Sequence, residues 1–203
     1  MENPFCKSFF DLMGEDVELD EQSKNLIDSH CREVTIKKGA VVLNAGDVCQ
    51  QVFFVLTGEA ISFFLDTDGK TTTWFFHFNN AHSTVKNLFA VDYKSFVSGQ
   101  AATLTVEALT DVRAIHFSRA EVDFLLDNCA VFERWMRKLS ERAFIHTYDR
   151  IATFLTMSAK HRYLKLLEEE PHLLNMFSNY YIATYLGIVP QSLSRIRQLS
   201  KSA

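Results

Sequence analysis

Apolar residues recur along the chain with two different periods, and the change from one to the other divides it. Residues 9 to 31 carry sparse apolar positions, with Leu26 and Ile27 on one face and polar residues elsewhere, which predicts one or two short helices. From Glu33 the period changes. The segments EVTIKKG, AVVLNAGD, QVFFVLTGEAISFFLDTDG and KTTTWFFHF are rich in Val, Ile, Phe and Thr and are punctuated by Gly39, Gly46, Gly58 and Gly69. Short strands with glycine turns at such close spacing predict an antiparallel β-sandwich or barrel, here compressed into a small roll. A helical or irregular patch follows from about 79 to 99, and strands resume in ATLTVEALTDVRAIHFS.

Helical periodicity returns at Ser118, where Ser118 and Glu121 form an S-x-x-E capping box that satisfies two orphan N–H groups reciprocally. A helix then runs from about 130 to 157 without Gly or Pro, its apolar residues at Phe132, Trp135 and Leu139 and, after a skip, at Phe144, Tyr148, Ile151 and Leu155. At 1.5 Å per residue it spans roughly 40 Å, more than a small roll needs for its own cover. The excess length predicts a seam between two copies of the chain, formed by Trp135, Leu139, Phe144, Tyr148 and Ile151. A further helix, AKHRYLKLLEEE, stops at Pro171.

The last periodic stretch, NYYIATYLGIVPQSLSRIRQ from Asn179 to Gln198, has the pattern of a helix-turn-helix. Ile182, Leu186, Ile188, Leu193 and Ile196 can meet between two short helices, and Ala183 is small enough to allow a close crossing. Gly187 supplies the turn, and Pro190 suits the first turn of the second helix, where its missing N–H would be unpaired anyway. The outward positions are Gln191, Ser192, Ser194, Arg195, Arg197 and Gln198, all polar, with two cations and no carboxylate. A helix entering a DNA major groove needs that character. The same pattern also fits an ordinary αα-hairpin in a helical core.

Charge distribution strengthens the nucleic-acid reading. The net charge is −4, which argues against nonspecific coating of nucleic acid. From Pro171 onward, however, Arg195, Arg197 and Lys201 meet no carboxylate, so this tail is +3 while residues 1 to 170 hold eighteen cations against twenty-five carboxylates. The 47% apolar content and 18 Phe predict a sizeable, heavily aromatic core. Cys6, Cys31, Cys49 and Cys129 are scattered without a C-x-x-C pair, as expected of buried thiols in a reducing cytoplasm. MENPFCKSFF lacks the basic start and apolar run of a signal peptide, and no apolar stretch is long enough for a membrane span, so the expected location is cytoplasmic, without membrane contact.

Catalytic and metal chemistry find little support. His77 and His82 sit five apart and His116 lies on a later strand, but no H-x-H with a following Glu is present, so no metal site is expected. Asp66 and Asp68 flank a turn glycine, where solvated Asp is ordinary. No Ser-His-Asp or Cys-His arrangement stands out, and the protein is not expected to be an enzyme.

A glycine-punctuated roll, a long helix and a C-terminal helix-turn-helix, in that order, resemble the bacterial CRP/FNR family of transcription regulators. The resemblance covers nearly the whole chain. It rests on Gly39, Gly46 and Gly58 with GDVCQQVFFVLTGEA, on VEALTDVRAIHFSRAEVDFLL entering the long helix, and on IATYLGIVPQSLSRIRQ. It implies an α+β fold: an antiparallel β-roll (a double-stranded β-helix of the cyclic-nucleotide-binding type) over 1–128, a dimerisation helix over 129–158 and an all-α helix-turn-helix domain over 159–203. It further implies sequence-specific binding of double-stranded DNA as a homodimer, with RNA polymerase as a further candidate partner. A sensor or scaffold module that regulates a protein partner is the alternative.

Three departures qualify what the resemblance implies. Nucleotide-binding members supply a Gly-Glu pair for the ribose and an Arg followed by a hydroxyl for the cyclic phosphate. Here the Arg position falls on Ala102 and the hydroxyl on Thr103, VKNLFAV stands near where Gly-Glu would be, and Asp92 is the only acid between Lys70 and Val106. A buried cyclic phosphate without its guanidinium loses hydration for little return, and Lys86 or Lys94 would offer only a point charge. Cyclic nucleotide is therefore not expected as a cofactor. Secondly, the sequence ends at Ala203, where relatives commonly continue into a β-hairpin wing, so the expected DNA-binding domain lacks a full wing and its phosphate contacts. Thirdly, Pro190 and Gln191 stand where cyclic-AMP-responsive members carry Arg and Glu, so a different operator is expected. Arg195 falls on the family's base-reading position, and Lys201 near the end is expected to contact phosphate.

Overall fold

The computed structural model describes residues 6–201, without the side chains of 200 and 201. Two short helices, α1 (Lys7–Gly14) and α2 (Glu21–Asp28), precede the strands. The start of α2 is fixed by Asp20, whose carboxylate accepts from the Ser23 N–H at 2.7 Å. Then come β1 (Arg32–Ile36), β2 (Val41–Leu43), β3 (Gln51–Thr57), β4 (Glu59–Leu65) and β5 (Thr71–Phe78). The patch after them holds α3 (Val85–Leu88), β6 (Phe89–Ala90) and α4 (Tyr93–Ser98), and the strands end with β7 (Thr105–Ala108) and β8 (Val112–Ser118).

These strands form two four-stranded antiparallel sheets, β1-β8-β3-β6 and β2-β7-β4-β5. The turn between β3 and β4 shows why glycine punctuates the roll. Gly58 has φ +92°, and a Cβ there would fall 2.4 Å from the Asp111 carbonyl oxygen, so no other residue fits without moving backbone. Along β4, Ala60 and Phe64 belong to one core while Ile61 and Phe63 belong to a second, so the strand is covered on both faces. That double burial is the reason AISFF is a nearly unbroken apolar run.

The Ser118–Glu121 capping box forms as expected and starts α5 (Arg119–Asn128), which leads into α6 (Ala130–Thr156). The first half of α6 closes the roll: Trp135 packs against Phe9 of α1 at 5.3 Å between ring centroids, with Phe54, Phe117 and Phe132 in the same aromatic cluster. Trp135 and Leu139, expected in a seam between copies, are instead 1% and 8% exposed within the chain's own core. The skip from Leu139 to Phe144 is the cause. Five residues rotate the stripe by about 500°, leaving it about 140° away from the first face. Beyond the skip, Phe144, Tyr148, Ile151 and Leu155 are 71%, 65%, 45% and 80% exposed.

After α6 the chain forms α7 (Ala159–Glu169), α8 (Leu173–Met176), α9 (Asn179–Tyr185) and α10 (Pro190–Lys201). These helices dock on the β4–β5 hairpin through the second core, in which Ile61, Phe76 and Phe78 meet Tyr163, Leu166, Leu173, Phe177, Ile182 and Tyr185. Phe76 stacks on Phe177 with centroids 4.1 Å apart. Among the described residues, no helix is long and apolar enough to cross a membrane.

Candidate nucleic-acid interface

The helix-turn-helix is built from its turn outward. Gly187, at φ +68°, ends α9 with two bonds, Ile188 N–H to the Ala183 carbonyl at 3.0 Å and Gly187 N–H to the Thr184 carbonyl at 3.1 Å, the paired closure of a Schellman motif. A side chain there would be doubly opposed, because a Cβ would also lie 2.7 Å from the Phe154 ring. Pro190 opens α10, and Leu193 and Ile196 turn inward, Leu193 being 1% exposed.

The outer face then follows from helical phase. Gln191, Ser194, Arg195 and Gln198 are exposed, and Ser192 is half-buried. Ser194 hydrogen-bonds back to the Pro190 carbonyl at 3.2 Å. Arg197 takes a different role from the outward one expected: it is half-buried, donates to Asn179 Oδ1 at 2.6 Å and lies 6.0 Å from the centre of the Tyr163 ring. It therefore ties α10 to the start of α9 and to α7. The Lys201 side chain lies outside the described residues.

Two further arginines fasten the helix-turn-helix, Arg150 to the roll and Arg162 to the end of α6. Arg150 of α6 donates to the Thr73 carbonyl at 3.1 Å and the Tyr185 carbonyl at 2.7 Å, with its guanidinium 3.5 Å from the Tyr185 ring centre. Arg162 donates to the Leu186 carbonyl at 3.0 Å and the Met157 carbonyl at 2.6 Å, satisfying orphan acceptors where α9 and α6 end. Thr73 and Thr184 hydroxyls meet at 2.7 Å, and Lys86 pairs with Glu170 at 2.8 Å. Sequence reasoning passed over Arg150 and Arg162; nothing in their spacing distinguishes them from solvent-facing helix arginines.

Between the roll and α6 lies a cavity of about 420 Å³ walled by aromatic and aliphatic side chains, Phe64, Trp74, Phe89 and Trp135 among them. Ala102, at the position expected for a phosphate-binding Arg, is buried. The buried Asp92 carboxylate accepts from the Ser95 N–H at 3.0 Å and the Thr103 N–H at 3.1 Å. The Ser95 and Thr103 amides are thus already occupied by an internal carboxylate. Lys86, weighed as a substitute cation, is committed to Glu170.

The histidines are held by separate partners. His77 Nε2 lies 3.1 Å from Ser62 Oγ, His82 stacks on His172, and His116 Nε2 lies 3.1 Å from Gln51 Oε1. Burial pushes the His77 imidazole down to about 4, against a weaker upward pull from the Lys86 backbone.

Residues 33–129 match the family model described as cyclic nucleotide-binding domain. No curated protein matches the sequence. FixK2 from Bradyrhizobium japonicum is similar in structure, with a TM-score of 0.70 at 19% identity over 85% of each chain. A protein described as a crp/fnr-family transcriptional regulator from Eubacterium rectale gives 0.71 at 17% identity, over 97% of this chain and 88% of that one. The c-di-GMP-responsive global regulator CLP of Xanthomonas campestris gives 0.66 at 13% identity, over 90% and 92%. With a cyclic-nucleotide-binding-type roll, a long connecting helix and a C-terminal helix-turn-helix in one chain, this protein has the fold of the crp/fnr-family regulator from Eubacterium rectale, of FixK2 and of CLP.

Proposed function

We propose that the protein is a sequence-specific, DNA-binding transcription regulator that acts as a homodimer, works in the cytoplasm alongside RNA polymerase, and does not respond to cyclic nucleotide. The observation that carries this reading is the exposed outer face of α10, where Gln191, Ser194, Arg195 and Gln198 stand clear of the core that anchors Leu193. Arginine on such a face can grip guanine O6 and N7 bidentately, and the neighbouring amides and hydroxyl suit base edges or phosphate. Its helix is not free to wobble, because Arg197 pins it to Asn179.

Dimerisation is supported by the second half of α6. Four large apolar residues at alternating four- and three-residue spacing, all exposed, make a coiled-coil-like stripe that a symmetric partner helix would cover. The absence of cyclic-nucleotide response is supported by Ala102 and by the occupied amides around Asp92. We assign no enzymatic role.

Selection of bound fragments from the native genome tests the reading directly. Recovery of a two-fold symmetric motif, retained at physiological salt, is the expected outcome. Failure to retain any DNA on a low-salt column rejects it and leaves a module that regulates a protein partner.

A further inference from the structure

Four cysteines scattered through the sequence conceal a pair that the fold brings together. Cys6, immediately before α1, has its sulfur 3.4 Å from that of Cys31, which stands between α2 and β1. Asp28, the last residue of α2, adds a carboxylate, and the three donor atoms all lie within 4.8 Å of one another. Its Oδ1 is buried and has no hydrogen-bond partner among the described residues. Cys6 is 1% exposed, whereas Cys31 and Asp28 are half-buried, so the cluster is open on one side.

We propose that Cys6, Asp28 and Cys31 bind one divalent cation of the zinc class, with water in the fourth position. Zinc bonded to two sulfurs at about 2.3 Å in tetrahedral geometry separates them by about 3.8 Å, so the thiols need to part by only a few tenths of an ångström. The unpartnered carboxylate oxygen is what singles out a cation. A buried acceptor without a donor is costly, and a metal ion satisfies it. Binding exchanges protons for metal: the ion forms two bonds to sulfur as both thiols release their protons, and the carboxylate supplies the third bond.

A disulfide is the competing fate of two close thiols. It requires an oxidant to remove two electrons, whereas metal binding requires only that the two thiols give up their protons. Occupancy would tie the start of α1 to the end of α2, and α1 carries Phe9, which packs on Trp135. Metal binding should therefore also raise the thermal midpoint of the roll.

Full-length protein, stripped by a chelator and kept reduced with a phosphine, is titrated with Zn²⁺ in competition with a chromophoric chelator. One equivalent per chain is expected, with proton release, and binding should weaken by at least about tenfold in Asp28→Asn, which keeps both thiols and nearly the same volume. Cys31→Ser should abolish it. Co²⁺ in place of Zn²⁺ should give thiolate-to-cobalt charge-transfer absorption in the wild type. The proposal is overturned if the wild type holds no zinc, if both variants bind as the wild type does, or if protein from cells lysed in alkylating agent carries a Cys6–Cys31 disulfide.

Discussion

Asp92 and Ala102 carry the proposed insensitivity to cyclic nucleotide. An incoming cyclic phosphate would lose its hydration in an apolar cavity, meet no guanidinium at Ala102, and approach a buried carboxylate that already holds the Ser95 and Thr103 amides. Calorimetric titration with cyclic AMP or cyclic GMP should show no binding up to about 100 μM, and a micromolar site for either would refute this account. Arg195 is the residue on which the proposed reading of bases can be tested. Arg195→Ala should cost on the order of 1 to 3 kcal/mol with cognate DNA and far less with random DNA, measured by fluorescence anisotropy. Equal losses on both would mean that the arginine reads no base. His77 links stability to pH. Because its imidazole is neutral in the folded protein down to about 4, while the unfolded chain takes up a proton near 6.5, its contribution is complete above about 6.5 and fades as pH falls toward 4. The loss is at most about 3 kcal/mol, and urea midpoints at successive pH values should fall less steeply in His77→Gln than in the wild type.

At the scale of elements, α6 changes allegiance along its length. Its first half is a core helix with Phe132, Trp135 and Leu139 buried, and its second presents Phe144, Tyr148, Ile151 and Leu155 to solvent. Phe144→Glu places a carboxylate on the exposed stripe without touching the core, so it should yield folded monomers at about 10 μM protein, seen by light scattering with an unchanged circular dichroism spectrum. Trp135→Glu, by contrast, would be a folding defect. A monomeric wild type at that concentration would remove the seam altogether.

For the whole molecule, the helix-turn-helix is not a loosely tethered unit. It shares a hydrophobic core with the β4–β5 hairpin and is fastened by Arg150, Arg162 and the Lys86–Glu170 pair. Two copies joined along α6 would therefore present their α10 helices at a fixed separation, as reading of two half-sites requires. Footprinting on the selected DNA should show two-fold related half-sites about one helical turn, roughly 34 Å, apart. Protection of a single half-site would contradict the dimeric arrangement.

Much of this architecture was legible in the chain because it rests on local rules. Glycine-punctuated β-branched runs gave strands, the Ser118–Glu121 pair gave a capped helix, and Gly187 followed by Pro190 gave the turn, each a matter of backbone sterics within a few residues. The polar outer face of α10 was legible for the same reason, since helical phase alone separates exposed Arg195 from buried Leu193. What only the tertiary structure decided depends on groups far apart in sequence. The five-residue skip after Leu139 was visible, but whether Trp135 met another copy or Phe9 of its own chain depended on where α1 folds. Arg197 was an outward cation until Asn179 came within 2.6 Å. Cys6 and Cys31, 25 residues apart, gave no motif, and only the packing of α1 beside the end of α2 set their sulfurs side by side. Periodicity reports which face of an element is apolar; it carries no information about which of several apolar faces will cover it.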